Sequence, residues 1–251
     1  MASFDGKTVL VTGGNSGIGE AIALRFANAG AKVVITGRRA DAVETTASLH
    51  RNLSGFVGDV SNPEEAALAV KQAAVNGRLD VLVNNAGIYG ATPLEGGSNE
   101  TIRSLYEINV FGLTFVTEAA VPFLKEAKGS IVNISSVVAR YPSPVTSHYA
   151  ATKAAVDSLT RSWAVELAPY GVRVNAVSPG PVETPIFGKV GLPEDVVAQV
   201  KENMRTSLLV PRLGTPDDIA GWVIHVASPE SSWVTGQILG VDGGAFLLSA
   251  R

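Results

Sequence analysis

The chain has 251 residues, 46% of them hydrophobic and 17% charged, which is enough for the core of one large α/β domain. A net charge of −3 with no Lys/Arg cluster gives no nucleic-acid footprint, and the lack of cysteine excludes disulfides and thiolate chemistry. Residues 1–7 hold no apolar signal core and no apolar span of about 18 residues stands out, so a cytoplasmic protein is the expectation.

Residues 7–12 are a β-branched run that ends in glycines. Helical spacing follows over 18–29 and stops at Gly30, and 32–36 is again strand-like, so one βαβ unit fits into about 30 residues. The pattern continues with a helix over 41–49, a strand over 55–58, and a helix over 63–75 that opens on Pro63 behind a cap at Ser61 or Asn62. A strand at 79–84, a long helix at 101–124, a strand at 129–135 and a helix at 147–167 come next. The last elements are a strand at 172–177, helical residues at 192–205, a helix from a cap at 215–218 to about 227, and a strand at 237–241. No linker or charge block divides this series. Seven strands alternating with helices predict an α/β, doubly wound fold: one seven-stranded parallel sheet covered on both faces, as a single domain over 1–251. Ligands of such folds bind at the carboxyl ends of the strands.

The first βα turn reads Thr12-Gly13-Gly14-Asn15-Ser16-Gly17-Ile18-Gly19. Gly13 allows a sharp turn, Gly17 and Gly19 allow close approach, and the following helix offers free N–H groups and a positive dipole end to a diphosphate. A ligand-free turn is the alternative. The end of the second strand holds Gly37-Arg38-Arg39 where an NAD-selective site wants a carboxylate. Guanidinium binds a 2′-phosphate, so NADP(H) is expected, with Arg38 as main contact and Arg39 and Asn15 as helpers. A solvated Arg pair at a helix entrance is the bland reading.

Tyr149 and Lys153 stand four residues apart on one helix, so an ammonium can lower the phenol pKa toward the working range. Polar residues collect at strand ends: Ser135 and Ser136, then Asn84-Asn85-Ala86-Gly87, then Pro179-Gly180. Each alone is ordinary turn chemistry. His50, His148 and His225 are too scattered for a metal site.

These residues together resemble the short-chain dehydrogenase/reductase family, in its single-domain Rossmann form, along essentially the whole chain. Thr12 to Gly19 has the family's T-G-x-x-x-G-x-G pattern, Asp59-Val60 its adenine-contacting position, and Asn84-Asn85-Ala86-Gly87 its N-N-A-G. Asn109 matches its mid-helix catalytic Asn, Tyr149 and Lys153 its Y-x-x-x-K, Pro179-Gly180 its P-G turn, and Val241-Asp242-Gly243-Gly244 its C-terminal signature. The family's Ser stands thirteen positions before its Tyr, which selects Ser136 over Ser135. The resemblance implies Asn109, Ser136, Tyr149 and Lys153 as catalytic residues. Tyr149 exchanges the proton, Ser136 orients the carbonyl oxygen, and Lys153 holds the ribose. The Asn109 carbonyl holds a relay water at a helix irregularity. Gly13, Asn15, Ser16, Gly17, Ile18, Gly19, Gly37, Arg38, Arg39, Asp59, Val60, Asn85, Ala86, Gly87, Tyr149, Lys153, Pro179, Gly180, Val182 and Thr184 are the expected cofactor contacts.

The substrate pocket is expected from Ile88, Tyr89, Val137, Val138, Tyr141, Pro142, Val182, Ile186 and Phe187, with a lid over 181–209. These residues are largely apolar and favour a hydrophobic ketone or aldehyde, although several can simply pack. The resulting expectation is an NADPH-dependent carbonyl reductase, reversible as a secondary alcohol dehydrogenase, with a homotetramer implied by the resemblance. A 3-oxoacyl-carrier-protein reductase or a non-catalytic NADP(H)-binding regulator are the alternatives. The Tyr–Lys spacing argues against an enoyl reductase, and the glycine spacing against a sugar-nucleotide epimerase.

Overall fold

A computed structural model describes residues 3–141, 144–184 and 194–248. Seven parallel strands make one sheet: β1 (Thr8–Val11), β2 (Lys32–Gly37), β3 (Leu53–Val57), β4 (Val81–Asn84), β5 (Ser130–Ile134), β6 (Arg173–Pro179) and β7 (Ile238–Val241). Their order is β3-β2-β1-β4-β5-β6-β7, so the chain reverses direction across the sheet between β1 and β4. Val9 sits level with both Val33 and Val81, which aligns the strand ends at this switch point.

Strand side chains alternate between two cores. Val9, Val11, Val33, Ile35, Val81 and Val83 pack with Ile22 and Phe26 of α1 (Gly17–Asn28) and with Ile219 and Val223 of α8 (Pro216–Ala227). Leu10, Val34, Leu82 and Ile131 face the other side. There they meet α3 (Pro63–Ala73), α5 (Leu113–Ala127) and α6 (Ser147–Leu167). Both faces are thereby dry, which is why the strands read as continuous apolar runs. The remaining helices are α2 (Ala40–Ser48), α4 (Asn99–Tyr106), α7 (Glu194–Ser207) and α9 (Ala245–Leu248).

Helix starts follow their caps. Asn62 accepts from the N–H groups of Glu64 and Glu65, which resolves the choice between Ser61 and Asn62. Thr215 and Asp218 form a reciprocal capping box at α8. The long helix expected at 101–124 is not one regular helix. It is α4 and α5 joined by a π-helical turn at Glu107–Gly112. There Gly112 lies against Val60, where a Cβ would come 2.8 Å from the Val60 Cγ2.

The expectation that no apolar span reaches about 18 residues meets one exception. The continuous helical run Asn99–Ala127 has a window of mean hydropathy 1.3, long and apolar enough to cross a membrane by length and composition. Its Leu105, Leu113, Val116, Ala120 and Leu124 are buried inside the domain. Pro142, Ile186 and Phe187 lie outside the described residues, as does part of the span expected to form a lid.

Candidate active site

The glycine turn joins β1 to α1 at the switch point. Gly13 (φ +62°) and Gly17 (φ +54°) take left-handed backbone, open to glycine at no steric cost. A Cβ on Gly19 would collide with the Gly13 carbonyl and the Asn85 side chain, so the first turn of α1 sits directly on the loop. Ser16 caps α1 without a side-chain hydrogen bond, so the helix end presents N–H groups free of a local side-chain acceptor. The second wall is held by Thr12. Its hydroxyl accepts from the N–H groups of Asn85 and Ala86, each at 3.0 Å. Asn85 in turn donates from Nδ2 to the carbonyls of Thr12 (2.9 Å) and Gly13 (3.0 Å).

At the end of β2, Asn15 covers Gly37 so closely that a Cβ there would sit 2.5 Å from the Asn15 Oδ1. Arg38 is exposed and makes a loose pair with Asp59 (3.7 Å). Arg39 is the exposed residue before α2. Asp59 also accepts from the backbone and hydroxyl of Ser61. Val60 leans on the π-helical turn. Across the cleft, Gly180 donates to the Val241 carbonyl (3.1 Å), and Val182 bridges to Gly214 and is buried. Thr184 follows, half-buried.

The second half of the site is built on α6 and the end of β5. Ser136 is extended (φ −162°) as it leaves β5, and its side chain lies by the Tyr149 hydroxyl, where it acts to lower the phenol pKa. Tyr149 meets Tyr89 edge-on at 5.2 Å. Lys153 is buried, and its Nζ donates to the Ile134 carbonyl (2.8 Å), 6.0 Å from the Tyr149 ring centre. Asn109, within the π-helical turn, is locked by a two-way bond to Ile88: Nδ2 to the carbonyl at 3.0 Å, and the Ile88 N–H to Oδ1 at 2.8 Å. Its Nδ2 also donates to Thr152 (3.1 Å), whose hydroxyl donates to the Tyr149 carbonyl (2.7 Å). A Cβ on Gly87 would lie 3.2 Å from the Asn109 Oδ1 and 3.6 Å from the Lys153 Nζ, which fixes how near these groups stand. The four expected catalytic residues thus converge beside the Asn85–Gly87 wall.

The electrostatics differ from the sequence expectation. Burial pushes the Tyr149 phenol up to about 12, with Ser136 acting in the opposite sense. Burial also pulls the Lys153 amine down to about 8, against the field of Asp157. Burial thus outweighs any lowering of the Tyr149 pKa by Lys153, whose Nζ is bonded to the Ile134 carbonyl.

The chain was compared with known proteins. The family model described as enoyl-(acyl carrier protein) reductase matches residues 13–245. The 3-oxoacyl-[acyl-carrier-protein] reductase FabG of Thermotoga maritima is 40% identical over 96% of this chain and 98% of its own. The 7alpha-hydroxysteroid dehydrogenase of Escherichia coli K12 is 36% identical over 96% and 94%. A crystal structure of the 3-ketoacyl-(acyl-carrier-protein) reductase of Brucella melitensis complexed with NADH superposes at a TM-score of 0.90, with 35% identity over 97% of this chain and all of that one. The chain belongs to the short-chain dehydrogenase/reductase family.

Within this short-chain dehydrogenase/reductase, the other described pocket residues lie on the turn after Ser136 or on the loop after β4. Val137 and Val138 lie in the 3₁₀ turn Val137–Ala139, and the Tyr141 N–H closes it on the Val137 carbonyl (3.0 Å). Ile88 is held by Asn109 and Tyr89 by Tyr149. Two features escaped sequence reasoning. The Thr12 hydroxyl, read only as part of a motif, ties the two cleft walls together. Asp157 was given no role, although its spacing of four from Lys153 places both on one face of α6.

Proposed function

We propose that this oxidoreductase is an NADPH-dependent carbonyl reductase of small hydrophobic ketones and aldehydes, reversible as a secondary alcohol dehydrogenase. The observation that carries this reading is the convergence of Ser136 and Tyr149 with Lys153 and Asn109 beside the same cleft wall. The turn at Gly13, Gly17 and Gly19 suits a diphosphate, because its glycines bring the loop onto the α1 N-terminus, where the N-cap side chain takes no N–H. Ser16, Ile18 and the α1 N-terminus would hold that diphosphate. Asp59 and Val60 would take the adenine, and Asn85, Ala86 and Gly87 the second cleft wall. Pro179, Gly180, Val182 and Thr184 would line the nicotinamide side. Arg38, with Arg39 and Asn15, supports NADP(H), since its guanidinium is exposed and its pair with Asp59 is loose.

The bound nicotinamide nucleotide supplies the hydride chemistry. Tyr149 Oη donates a proton to the substrate carbonyl oxygen in reduction and accepts one from the alcohol in oxidation. Ser136 Oγ holds that same oxygen and steadies the phenolate left on Tyr149. Lys153 Nζ supplies positive charge for the phenolate and for ribose hydroxyls. The π-helical turn leaves backbone carbonyls around Asn109 out of regular α-helical register, which suits a water on the path from Lys153 to solvent.

A panel of ketones and aldehydes followed by NADPH absorbance, with NADH alongside, tests the reading. Equal efficiency with NADH removes the NADP(H) assignment. Turnover confined to 3-oxoacyl thioesters favours the second reading, a 3-oxoacyl-carrier-protein reductase, to which the names of two relatives point. Tight NADPH binding without any turnover favours a regulator. A homotetramer is part of the proposal, supported by exposed Val165 on α6, Trp222 on α8, and Trp233, Phe246 and Leu247. Sedimentation as a monomer at micromolar concentration refutes it.

A further inference from the structure

The distance in sequence to Tyr149 selected Ser136 over Ser135. Ser135 faces α6, where its hydroxyl donates to the Asp157 carboxylate at 2.6 Å. Ser135 and Asp157 are both buried, at 3% and 4% exposure. The second Asp157 oxygen is paired with the Arg140 Nε at 3.5 Å, and Arg140 also reaches the Ile238 carbonyl of β7 at 3.3 Å. Arg140 closes the turn that carries Ser136, Val137 and Val138. The carboxylate thus ties together the end of β5, the pocket turn and α6. On its own helix it lies one turn beyond Lys153, as Lys153 lies one turn beyond Tyr149.

A carboxylate is costly to bury, and a hydrophobic residue at 157 would pack the same helix face without that cost. Its partners point to what it does instead. We propose that Asp157 is a positioning residue for the reaction: through Ser135 and Arg140 it fixes the strand end so that Ser136 meets Tyr149, and it provides the counter-charge that keeps Lys153 an ammonium. The proposal rests on the carbonyl-reductase reading for its kinetic consequence, and on the one-turn spacing of Asp157 from Lys153 and the field it exerts there for the state of Lys153.

The charged and titratable groups around the pair are few. Arg140 faces Asp157 from the pocket turn, and Arg161 reaches only its backbone carbonyl (3.3 Å). Tyr149 shares the helix with Lys153, and Tyr89 faces Tyr149 from the loop after β4. Lys153 is already pulled down to about 8 by burial, so a lost counter-charge moves it through the neutral range.

The test follows Lys153 directly in the cofactor-free protein, by NMR titration of carbon-labelled lysine assigned with Lys153→Met. Asp157→Asn keeps an acceptor for Ser135 but removes the charge, and the Lys153 midpoint is expected to fall by about one unit. Arg140→Met removes the competing cation from an exposed position, and the midpoint is expected to rise. Opposite signs from two variants are something a purely structural role does not produce. In turnover, Asp157→Asn is expected to lower kcat about fivefold at pH 8 and less than about twofold at pH 6, with KM changed less than kcat. An unmoved midpoint in the variants that fold, or a kcat loss of equal size at every pH, overturns the proposal. Should Asp157→Asn fail to fold, Arg140→Met decides by the same measurement. Absence of ketone turnover in the wild type sinks the proposed function and leaves the Lys153 titration to judge the role of Asp157.

Discussion

Thr12→Val isolates the bond between the two walls of the cleft. The side chain is buried (2% exposed) in a strand, where valine has nearly the same shape and a good β-propensity. Only the hydroxyl is lost. That oxygen accepts from two backbone donors, the N–H groups of Asn85 and Ala86, at 3.0 Å each. Its own donation to the Val83 carbonyl is long at 3.4 Å and adds little. A fully buried donor left without a partner costs about 1–3 kcal/mol. Asn85 and Ala86 are half-buried, so water recovers part of this, and about 2 kcal/mol for the pair is expected. In a domain of 251 residues that lowers Tm by about 4–8 °C. Thr12→Ser retains the acceptor and recovers most of the loss. Because the freed wall is Asn85–Gly87, NADPH affinity is expected to fall about tenfold, or about 1.4 kcal/mol. Calorimetry and nicotinamide fluorescence titration measure the two effects. A Thr12→Val protein melting within about 1 °C of wild type, with unchanged NADPH affinity, refutes the reasoning.

Three further outcomes follow from the same geometry. Tyr149→Phe removes the group that would exchange the proton and is expected to abolish carbonyl reduction while NADPH binding persists; retained turnover removes Tyr149 from the mechanism. Arg38→Ser takes away a charge-assisted phosphate contact of about 1.5–3 kcal/mol, so KM for NADPH is expected to rise about 10- to 100-fold with KM for NADH little changed. Lys153→Met is expected to stabilise the protein by about 1 kcal/mol at pH 7. The folded-state amine, at about 8, lies below its ordinary 10.5, so folding disfavours the ammonium. That cost is full below pH 8, fades as pH rises from 8 to 10.5, and is partly offset by the Ile134 bond. Urea unfolding at pH 7 and pH 10.5 shows whether the advantage disappears.

The fold was legible because both sheet faces are dry and the punctuation is strong. Val81 to Asn84 and Ile131 to Ile134 can hardly be anything but buried strands, and Gly30, Pro63 and Thr215 mark helix ends by their backbone chemistry. The interruption at Glu107–Gly112 was implied at Asn109 by the resemblance, but the residue pattern does not mark it, because neither Gly nor Pro breaks the helical spacing before Gly112. It arises from tertiary contacts: Asn109 locked on Ile88, and Gly112 on Val60. In the site, spacing brought Tyr149, Lys153 and Ser136 together correctly. It could not give the direction of the Lys153 ammonium, which depends on a carbonyl nineteen residues away in sequence. Nor could it distinguish Asp157 from a solvated helix carboxylate, since its burial is decided by Ser135 and Arg140.

The opposite shifts of Tyr149 and Lys153 have one cause, since burial favours the neutral form of each. For the proposed reduction this is half useful. Burial that pushes the phenol up to about 12 favours the protonated form, the one that would donate the proton. Once it has donated, an anion stands in the same dry place, and the raised pKa measures how poorly that anion is tolerated. Two groups can compensate. Ser136 acts to lower the Tyr149 pKa, and Lys153 can offer a full charge only while it stays protonated. With its amine near 8, Lys153 is poised to lose that charge at mildly alkaline pH, and the Tyr149 anion then has Ser136 alone. In the proposed reduction the alkaline limb is therefore expected at the lysine rather than at the phenol, and a kcat profile against pH reads it. On that reading, what surrounds Lys153 on the far side from Tyr149 bears on the rate as well as what surrounds the substrate.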